Sequence, residues 1–130
     1  MKLLNLFVAD ILAVMEQGDI LTHCFNDKEN GILATDNTIK PIVWEAYRKG
    51  IVFDIGHGTD SFNFTVAQTA LKEGIKATSI SSDIYIRNRK NSPVYDLATT
   101  MEKLHVIGYS WEEINEKTDS TVYHRPQSNY

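Results

Sequence analysis

The chain has 130 residues, of which 42% are apolar and 23% are charged, as is typical of a single soluble globular domain. Its formal net charge of −4 argues against a nucleic-acid partner, because binding to phosphates requires a basic surface. The basic stretch "YIRNRKNS" is interpreted as a solvated loop. The single cysteine excludes an intramolecular disulfide and is typical of a reducing compartment, so we expect a cytoplasmic location.

The first segment, "MKLLNLFVADILAVMEQGD", has its apolar residues at helical spacing. Asp10 interrupts the apolar stretch, Glu16 follows it and no small-residue cleavage site appears, so a signal peptide is not indicated. No apolar run reaches the roughly 20 residues that a membrane span requires. We therefore predict an amphipathic helix that ends before Gly18, and no membrane partner.

After Gly18, strand-like and helix-like segments alternate. The predicted strands are "DILTHCF", "IVFDI" and "IKATSISS", and the predicted helices are "TIKPIVWEAYRKG", "SFNFTVAQTALKEG", "DLATTMEKLHVIG" and "SWEEINEKT". The expected caps are Thr38, Asn63 and Ser110 at helix starts, the last in a capping box with Glu113, and Gly50 and Gly74 at helix ends. Strands separated by helices predict an α/β fold with a parallel sheet whose strands are buried on both faces. The loop "IYIRNRKNSPVY" precedes the third of these helices, and the tail "STVYHRPQSNY" is expected to fray.

Three parallel strands make a small, incomplete sheet. An open doubly wound fold usually has five or more strands, and a TIM barrel has eight. We therefore expect two apolar sheet edges that require cover, either by self-association or by docking to another part of a barrel.

Three polar residues, His23, His57 and Asp83, occupy equivalent places at the carboxyl ends of the predicted strands, 34 and 26 residues apart. Side chains at these ends converge on one mouth in parallel α/β proteins, so the three could share a site built around a metal ion or a water molecule. Each also has a structural interpretation. His23 could be a buried histidine bonded to a backbone carbonyl, the glycines around His57 could form a tight turn, and Asp83 could cap a helix.

The other candidate residues are interpreted as structural. Cys24 has no partner at ligand spacing and is predicted to be a small buried residue rather than a nucleophile. His105 and His124 are predicted to be structural or solvated. One histidine and one aspartate do not hold zinc, because a catalytic zinc ion requires three protein ligands, so most ligands of any such site are absent from these 130 residues.

Four motifs, in this order, resemble the amidohydrolase superfamily. They are "GDILTHCFN" with the "NGIL" that follows it, "GIVFDIGHGTDSFNF", "ATSISSDIY" and "PVYDLATTMEKL", and together they span about residues 8–118. They look closest to the bacterial metallohydrolase branch labelled amidohydrolase/deacetylase or dihydroorotase-like. The resemblance implies a TIM barrel with one or two divalent metal ions, usually zinc. Residues 1–118 would form its C-terminal portion of about three βα units, and residues 119–130 would form a divergent tail.

The resemblance also implies roles for individual residues. His23 matches the metal-binding histidine that ends the sixth barrel strand. Asp83 matches the aspartate that ends the eighth strand, which contacts the metal and moves the proton of the attacking water. His57 matches a histidine of this branch that faces the substrate, and Gly56 and Gly58 would let the backbone turn sharply there. The substrate would be a small-molecule amide or ester.

Other parts of the family pattern have no counterpart here. The early His-x-His pair, the carboxylated bridging lysine and the fifth-strand histidine would precede Met1, so we predict that the isolated chain hydrolyses nothing detectable. A non-catalytic half-barrel, or a small-ligand-binding or interaction protein, is the alternative. A flavodoxin-like module is disfavoured, because "NDKENG" after the first strand is not a glycine-rich phosphate loop. We expect the loops "NDKENGILATDN" and "IYIRNRKNSPVY" to line the mouth of the site.

Overall fold

The computed structural model describes residues 8–58, 60–83, 86, 90 and 96–120. Its elements, in chain order, are α1 (Val8–Val14), β1 (Ile20–Leu21), α2 (Pro41–Lys49), β2 (Val52–Phe53), α3 (Phe64–Glu73), α4 (Leu97–Ile107), α5 (Trp111–Asn115) and a π-helical turn (Glu116–Ser120). Residues 1–7, the tail after Ser120 and most of the predicted loop over 84–95 lie outside the described residues; Ile86 and Lys90, within that loop, are helical. None of the helices in the described ranges is long and apolar enough to cross a bilayer.

Strands β1 and β2 form the expected parallel sheet, with Ile20 opposite Val52 and Leu21 opposite Phe53. The predicted third strand is replaced by an irregular parallel segment, residues 77–83, which forms isolated bridges between Asp54 and Ser79 and between His57 and Ser82.

A bulge explains the irregularity of the 77–83 segment. The N–H groups of Thr78 and Ser79 both donate to the Phe53 carbonyl, at 2.7 and 3.3 Å. Two residues of the 77–83 segment thus lie opposite one residue of β2, as in a β-bulge. The Thr78 hydroxyl in turn accepts the Phe53 N–H at 3.2 Å and takes the place of a ladder carbonyl.

Helix α2 begins one residue after Lys40 and not after Thr38, so the predicted Thr38 cap was wrong. Pro41 occupies the first helical turn, where its fixed φ suits the helix and its absent N–H would have had no partner. The Thr38 hydroxyl instead donates to Asp36 Oδ1 at 2.6 Å.

The other predicted helix caps are confirmed. Asn63 caps α3 by accepting the Val66 N–H, and Ser110 and Glu113 form both bonds of the capping box of α5. Gly50 and Gly74 end α2 and α3 in the left-handed conformation that glycine adopts readily.

The core lies between the strands and the helices. Phe53 and Ile55 are fully buried on the outer face of the strands, and the Phe53 ring packs edge-on against Tyr47 of α2 at a centroid distance of 5.6 Å. Burying a phenylalanine contributes about 2–3 kcal/mol relative to leaving it exposed.

Strand β1 differs from the prediction, because Ile20 is 57% exposed. Within the described ranges β1 pairs with β2 alone, so no described strand pairs with its other side. The opposite edge of the sheet is partly covered. The Ile80 N–H donates to the Lys117 carbonyl at 3.1 Å, and Lys117 Nζ donates to the Ala77 carbonyl at 2.6 Å. Of the two open edges expected from the sequence, the described residues thus leave the β1 edge without a pairing strand and cover part of the other.

Candidate functional site

His23 lies two residues after the end of β1 in a left-handed conformation, with φ of 57°. A regular parallel ladder would offer the His23 N–H to the Asp54 carbonyl, but Cys24 makes this bond at 3.2 Å. The His23 ring turns toward the next strand end, where its Nδ1 lies 2.8 Å from the Gly56 carbonyl. A carbonyl only accepts, so Nδ1 carries the proton and the neutral ring keeps its lone pair on Nε2.

Gly56 makes this contact possible. Its φ is +53°, and a Cβ there would lie 2.4 Å from Thr22 Oγ1 and 2.7 Å from His23 Nδ1. Gly56 has the positive φ that glycine adopts readily, and the close approach of the His23 ring is a second reason for glycine at this position.

Asp83 meets His23 at the carboxyl ends of the strands. Its Oδ2 lies 3.8 Å from His23 Nε2, and the two side chains are 42% and 39% exposed. The Asp83 N–H donates to the His57 carbonyl at 2.9 Å, which attaches Asp83 to the end of the neighbouring strand. The structure therefore brings His23 and Asp83 together. Of the alternative interpretation of His23, the bond to a backbone carbonyl is observed, whereas full burial is not.

His57 is placed differently, since it is only 1% exposed. Lys103 Nζ lies 3.1 Å from His57 Nε2, and the Phe62 ring lies on the imidazole at a centroid distance of 4.5 Å. An amine donates to the ring nitrogen, so the neutral ring carries its proton on Nδ1, a buried atom with no hydrogen-bond partner among the described residues. Burial, and secondarily the charge of Lys103, lower the pKa of His57 to about 4. That His57 and the buried Gly58 contact a substrate remains a prediction.

Asp54 is a residue of this region that the sequence reasoning missed. Its carboxylate accepts hydroxyl hydrogen bonds from Thr22 and Ser81 on Oδ2 and from Ser79 on Oδ1, each at 2.7 Å. The sequence signal was a lone acidic residue inside the apolar strand "IVFDI", with serines alternating in "SISS". Asp54 and Ser79 are buried, whereas Thr22 is exposed and Ser81 is half-buried, so this hydroxyl cluster extends from the interior to the surface.

The predicted structural residues Cys24 and His105 are structural in the fold. Cys24 is buried, and burial together with the nearby Asp54 charge raises the pKa of its thiol, which disfavours the reactive thiolate. His105 Nδ1 donates to the Tyr109 carbonyl at 3.0 Å, and its ring stacks on Trp111. His124 lies outside the described residues.

The loop that follows β1 lines a cavity. Residues 26–40 and the start of α3 enclose about 690 Å³, and the lining includes Asn26, Asn37 and Asn63 but neither His23 nor Asp83. Asn26, Asn30 and Gly31 of the same loop also line a smaller pocket of about 110 Å³ together with His23, so the loop borders the His23 side of the strand-end pair as well.

A metal ion fits the His23–Asp83 pair in part. An imidazole nitrogen and a carboxylate oxygen are zinc ligands, and two bonds of about 2.1 Å can span the 3.8 Å between them. The bond from His23 Nδ1 to the Gly56 carbonyl is the outer contact that metal-binding histidines commonly make. No group of three potential ligands occurs in the part of the chain that the structure describes, so the pair supplies a partial ligand set.

Comparison with known proteins gives relatives in both sequence and structure, although no family model matches the chain. A deacetylase from Enterococcus faecalis is 74% identical over 110 residues, which cover 83% of this chain and 30% of the relative. A deacetylase from Brucella anthropi is 38% identical over 119 residues, which cover 92% of this chain and 28% of the relative.

Two solved structures share the fold over 89% of this chain. The crystal structure of an adenine deaminase superposes with a TM-score of 0.87 at 68% identity, and that of a dihydroorotase with a TM-score of 0.77 at 36% identity. The chain spans 32% and 36% of those two structures, and thus about a third of the length of its relatives. Agreement in sequence and in fold supports a relationship between this chain and the hydrolases of the amidohydrolase superfamily.

Proposed function

We propose that this chain forms the C-terminal part, about three βα units, of a TIM-barrel metallohydrolase that cleaves an amide or ester bond of a small molecule. The observation that carries the proposal is the approach of His23 Nε2 to Asp83 Oδ2 at the carboxyl ends of parallel strands. In TIM barrels this face of the sheet holds the active site. The names of the relatives, deacetylase, adenine deaminase and dihydroorotase, support a hydrolytic reaction.

Under this proposal His23 and Asp83 are ligands of a divalent metal ion, with zinc as the first choice for this donor pair. A bound divalent ion lowers the pKa of water and polarises a carbonyl group. The Gly56 carbonyl holds the proton of His23 on Nδ1, so that Nε2 points toward Asp83 with its lone pair. The Asp83 carboxylate accepts the proton of the attacking water and delivers it to the leaving group.

His57 and Gly58 remain the proposed substrate contacts of this site. In the described structure the His57 ring is covered by Phe62 and bonded by Lys103, so contact through the ring requires Phe62 to move. The Gly58 backbone offers a second point of contact at the same strand end.

The partner of the sheet is proposed to be another part of the barrel. In the parallel ladder Asp19 and Leu21 direct their carbonyls to β2, so Ile20 and Thr22 direct their backbone groups to the open side. The Ile20 side chain, on the sheet face that also carries Asp54, adds an exposed apolar residue to this edge strand. An apolar edge of this kind favours association, so we expect the purified chain to sediment above its monomer mass at micromolar concentration. A sharp monomer boundary would contradict this expected self-association.

The experiment that tests the function is a graft. The matching segment of the Enterococcus faecalis deacetylase is replaced by this chain, and acetate release is measured with a panel of N- and O-acetylated small molecules. We expect the graft to retain metal-dependent hydrolysis and the isolated chain to have none. Asp83→Asn in the graft should lower kcat by at least about 100-fold, since general acid–base catalysis contributes roughly that much.

The matched control is Asp19→Asn. Asp19 is a carboxylate just before β1, at the end of the strand remote from His23, and it bonds the Glu16 N–H at 2.7 Å. Its replacement should leave kcat within about twofold, whereas His23→Ala should reduce the bound metal measured by elemental analysis. A folded graft that binds no metal and hydrolyses none of the panel would favour the non-catalytic half-barrel.

A further inference from the structure

We propose that Asp54 is a positioning residue, which holds the three strand ends bearing His23, His57 and Asp83 in one fixed arrangement. The inference rests on the proposed function, since it takes His23 and Asp83 to act as a pair. Neither the resemblance nor the relatives assign a role to Asp54.

The contacts of Asp54 connect all three strand ends. Thr22, which donates to Oδ2, immediately precedes His23. Ser81, which donates to the same oxygen, lies two residues before Asp83, and Ser79 donates to Oδ1. Asp54 itself lies three residues before His57. One carboxylate thus joins the ends of β1 and β2 to the 77–83 segment.

The charge of Asp54 makes these contacts strong. A buried carboxylate requires donors around it, and hydroxyls at 2.7 Å provide charge-assisted bonds that are roughly twice as strong as neutral ones. No lysine or arginine forms an ion pair with it in the described ranges. The three hydroxyl donors therefore offset the cost of burying the Asp54 carboxylate. Each hydroxyl is in turn held in one position by its bond to Asp54.

The cluster reaches the candidate site through Gly56. The Thr22 hydroxyl and the His23 ring both approach the Gly56 Cα so closely that a Cβ would collide with each of them. The Gly56 carbonyl receives His23 Nδ1 at 2.8 Å and the Ser61 hydroxyl at 3.1 Å. A shift of Thr22 or of the Asp54 strand therefore changes the bond that sets the tautomer of His23.

The test reads the tautomer of His23 directly. The ¹⁵N-labelled 130-residue chain is examined by long-range ¹H–¹⁵N correlation NMR at pH ~8, where imidazoles are neutral. In the unsubstituted chain His23 should be protonated on Nδ1. Asp54→Leu should reduce the ratio of the Nδ1–H to the Nε2–H form by about fivefold, as expected for the loss of about one hydrogen bond. Asp54→Asn keeps an acceptor oxygen and should restore most of the ratio.

Ser81→Ala provides a milder variant in case Asp54→Leu does not fold. It removes one donor to Asp54, is remote in sequence from His23, and should lower the tautomer ratio by about twofold. The matched control is Ser82→Ala, because Ser82 is the next residue and its hydroxyl bonds Thr100 at 2.7 Å instead of Asp54. That control should leave the His23 signals unchanged.

Equal His23 tautomer ratios in Ser81→Ala, Ser82→Ala and the unsubstituted chain would overturn the proposal. The graft experiment separates this result from a failure of the proposed function. Hydrolysis by the graft together with an unresponsive His23 would remove only the role of Asp54. A responsive His23 in a folded but inactive graft would leave that role in place as a structural one.

Discussion

The two faces of β2 and its continuation differ in chemistry although their residues alternate along one short run. Phe53 and Ile55 point outward and are fully buried in the apolar core beneath the helices. Asp54, between them, points to the other face and joins Thr22, Ser79 and Ser81. Neighbouring side chains of a strand alternate in direction, so consecutive residues contribute to the apolar core on one face and to the candidate site on the other.

The difference lies in what each face specifies. Apolar packing is non-directional, and a neighbour of similar volume replaces a side chain at modest cost. The hydroxyl cluster is directional, because a carboxylate and three hydroxyls bond well in few arrangements. We infer that the outer face supplies most of the stability of the fold, whereas the inner face determines where His23 and Asp83 stand.

Phe53→Ala is expected to have the largest effect on stability. It removes a fully buried aromatic side chain and should lower the free energy of unfolding by about 3–5 kcal/mol, as measured by urea denaturation followed by circular dichroism. The control is Phe64→Ala on α3, whose ring is 41% exposed and which should cost less than about 1.5 kcal/mol. Similar losses for the two variants would contradict the assignment of the core to the outer face.

Gly56→Ala should have a smaller effect on stability but a larger one on the site. Left-handed φ and the collisions with Thr22 and His23 together should cost about 1–3 kcal/mol and displace the His23 ring. Gly74→Ala at the end of α3 is the comparison, because its φ is +101° and its added Cβ would lie 3.7 Å from Trp44. Both should lower the melting temperature. Only Gly56→Ala should change the ring signals of His23, and unchanged signals there would contradict the proposed close approach.

Much of the outer face was predictable from sequence. The positions of Asn63, Gly74, Ser110 and Glu113 fixed the helix boundaries, because caps act within a few residues and are visible locally. The prediction of Thr38 as the cap of α2 was wrong because the sequence holds two helix-start signals, Thr38 and Pro41. The helix begins at Pro41, whose φ is already helical. The meeting of His23 with Asp83 followed from parallel strand order, which places like ends together.

The inner face was less predictable, because its contacts join residues far apart in the chain. Asp54 and Ser79 are 25 residues apart, and His57 and Lys103 are 46 apart, so no local spacing marks either pair. The exposure of Ile20 and the bulge at Thr78 also depend on which neighbours a strand has. Alternation of side chains indicates a strand but does not show whether another strand pairs with each edge.

A substitution near the amino end of the 77–83 segment should have the smallest effect on stability. It also serves as the control for the comparison of the two faces, because it lies far from His23. Lys76, just before this segment, pairs with Glu113 of α5, a contact remote from His23. The bond to Lys76, and then the Ser110 N–H, lower the pKa of Glu113 to about 2 from its ordinary value of 4.5. Glu113→Gln removes this partly exposed ion pair and should cost at most about 1 kcal/mol at neutral pH.

The lowered pKa of Glu113 determines how the stability lost in Glu113→Gln changes with pH. A carboxyl group with a lowered pKa contributes stability that is fully present above its unfolded pKa and disappears as the pH falls through its folded pKa. The difference in urea midpoint between the unsubstituted chain and Glu113→Gln should therefore shrink from about pH 5 to about pH 2. The His23 tautomer should be the same in both chains at pH ~8. A shifted tautomer would mean that the two ends of the segment are coupled, and the separation between the part of the fold that stabilises and the part that positions the site would not hold.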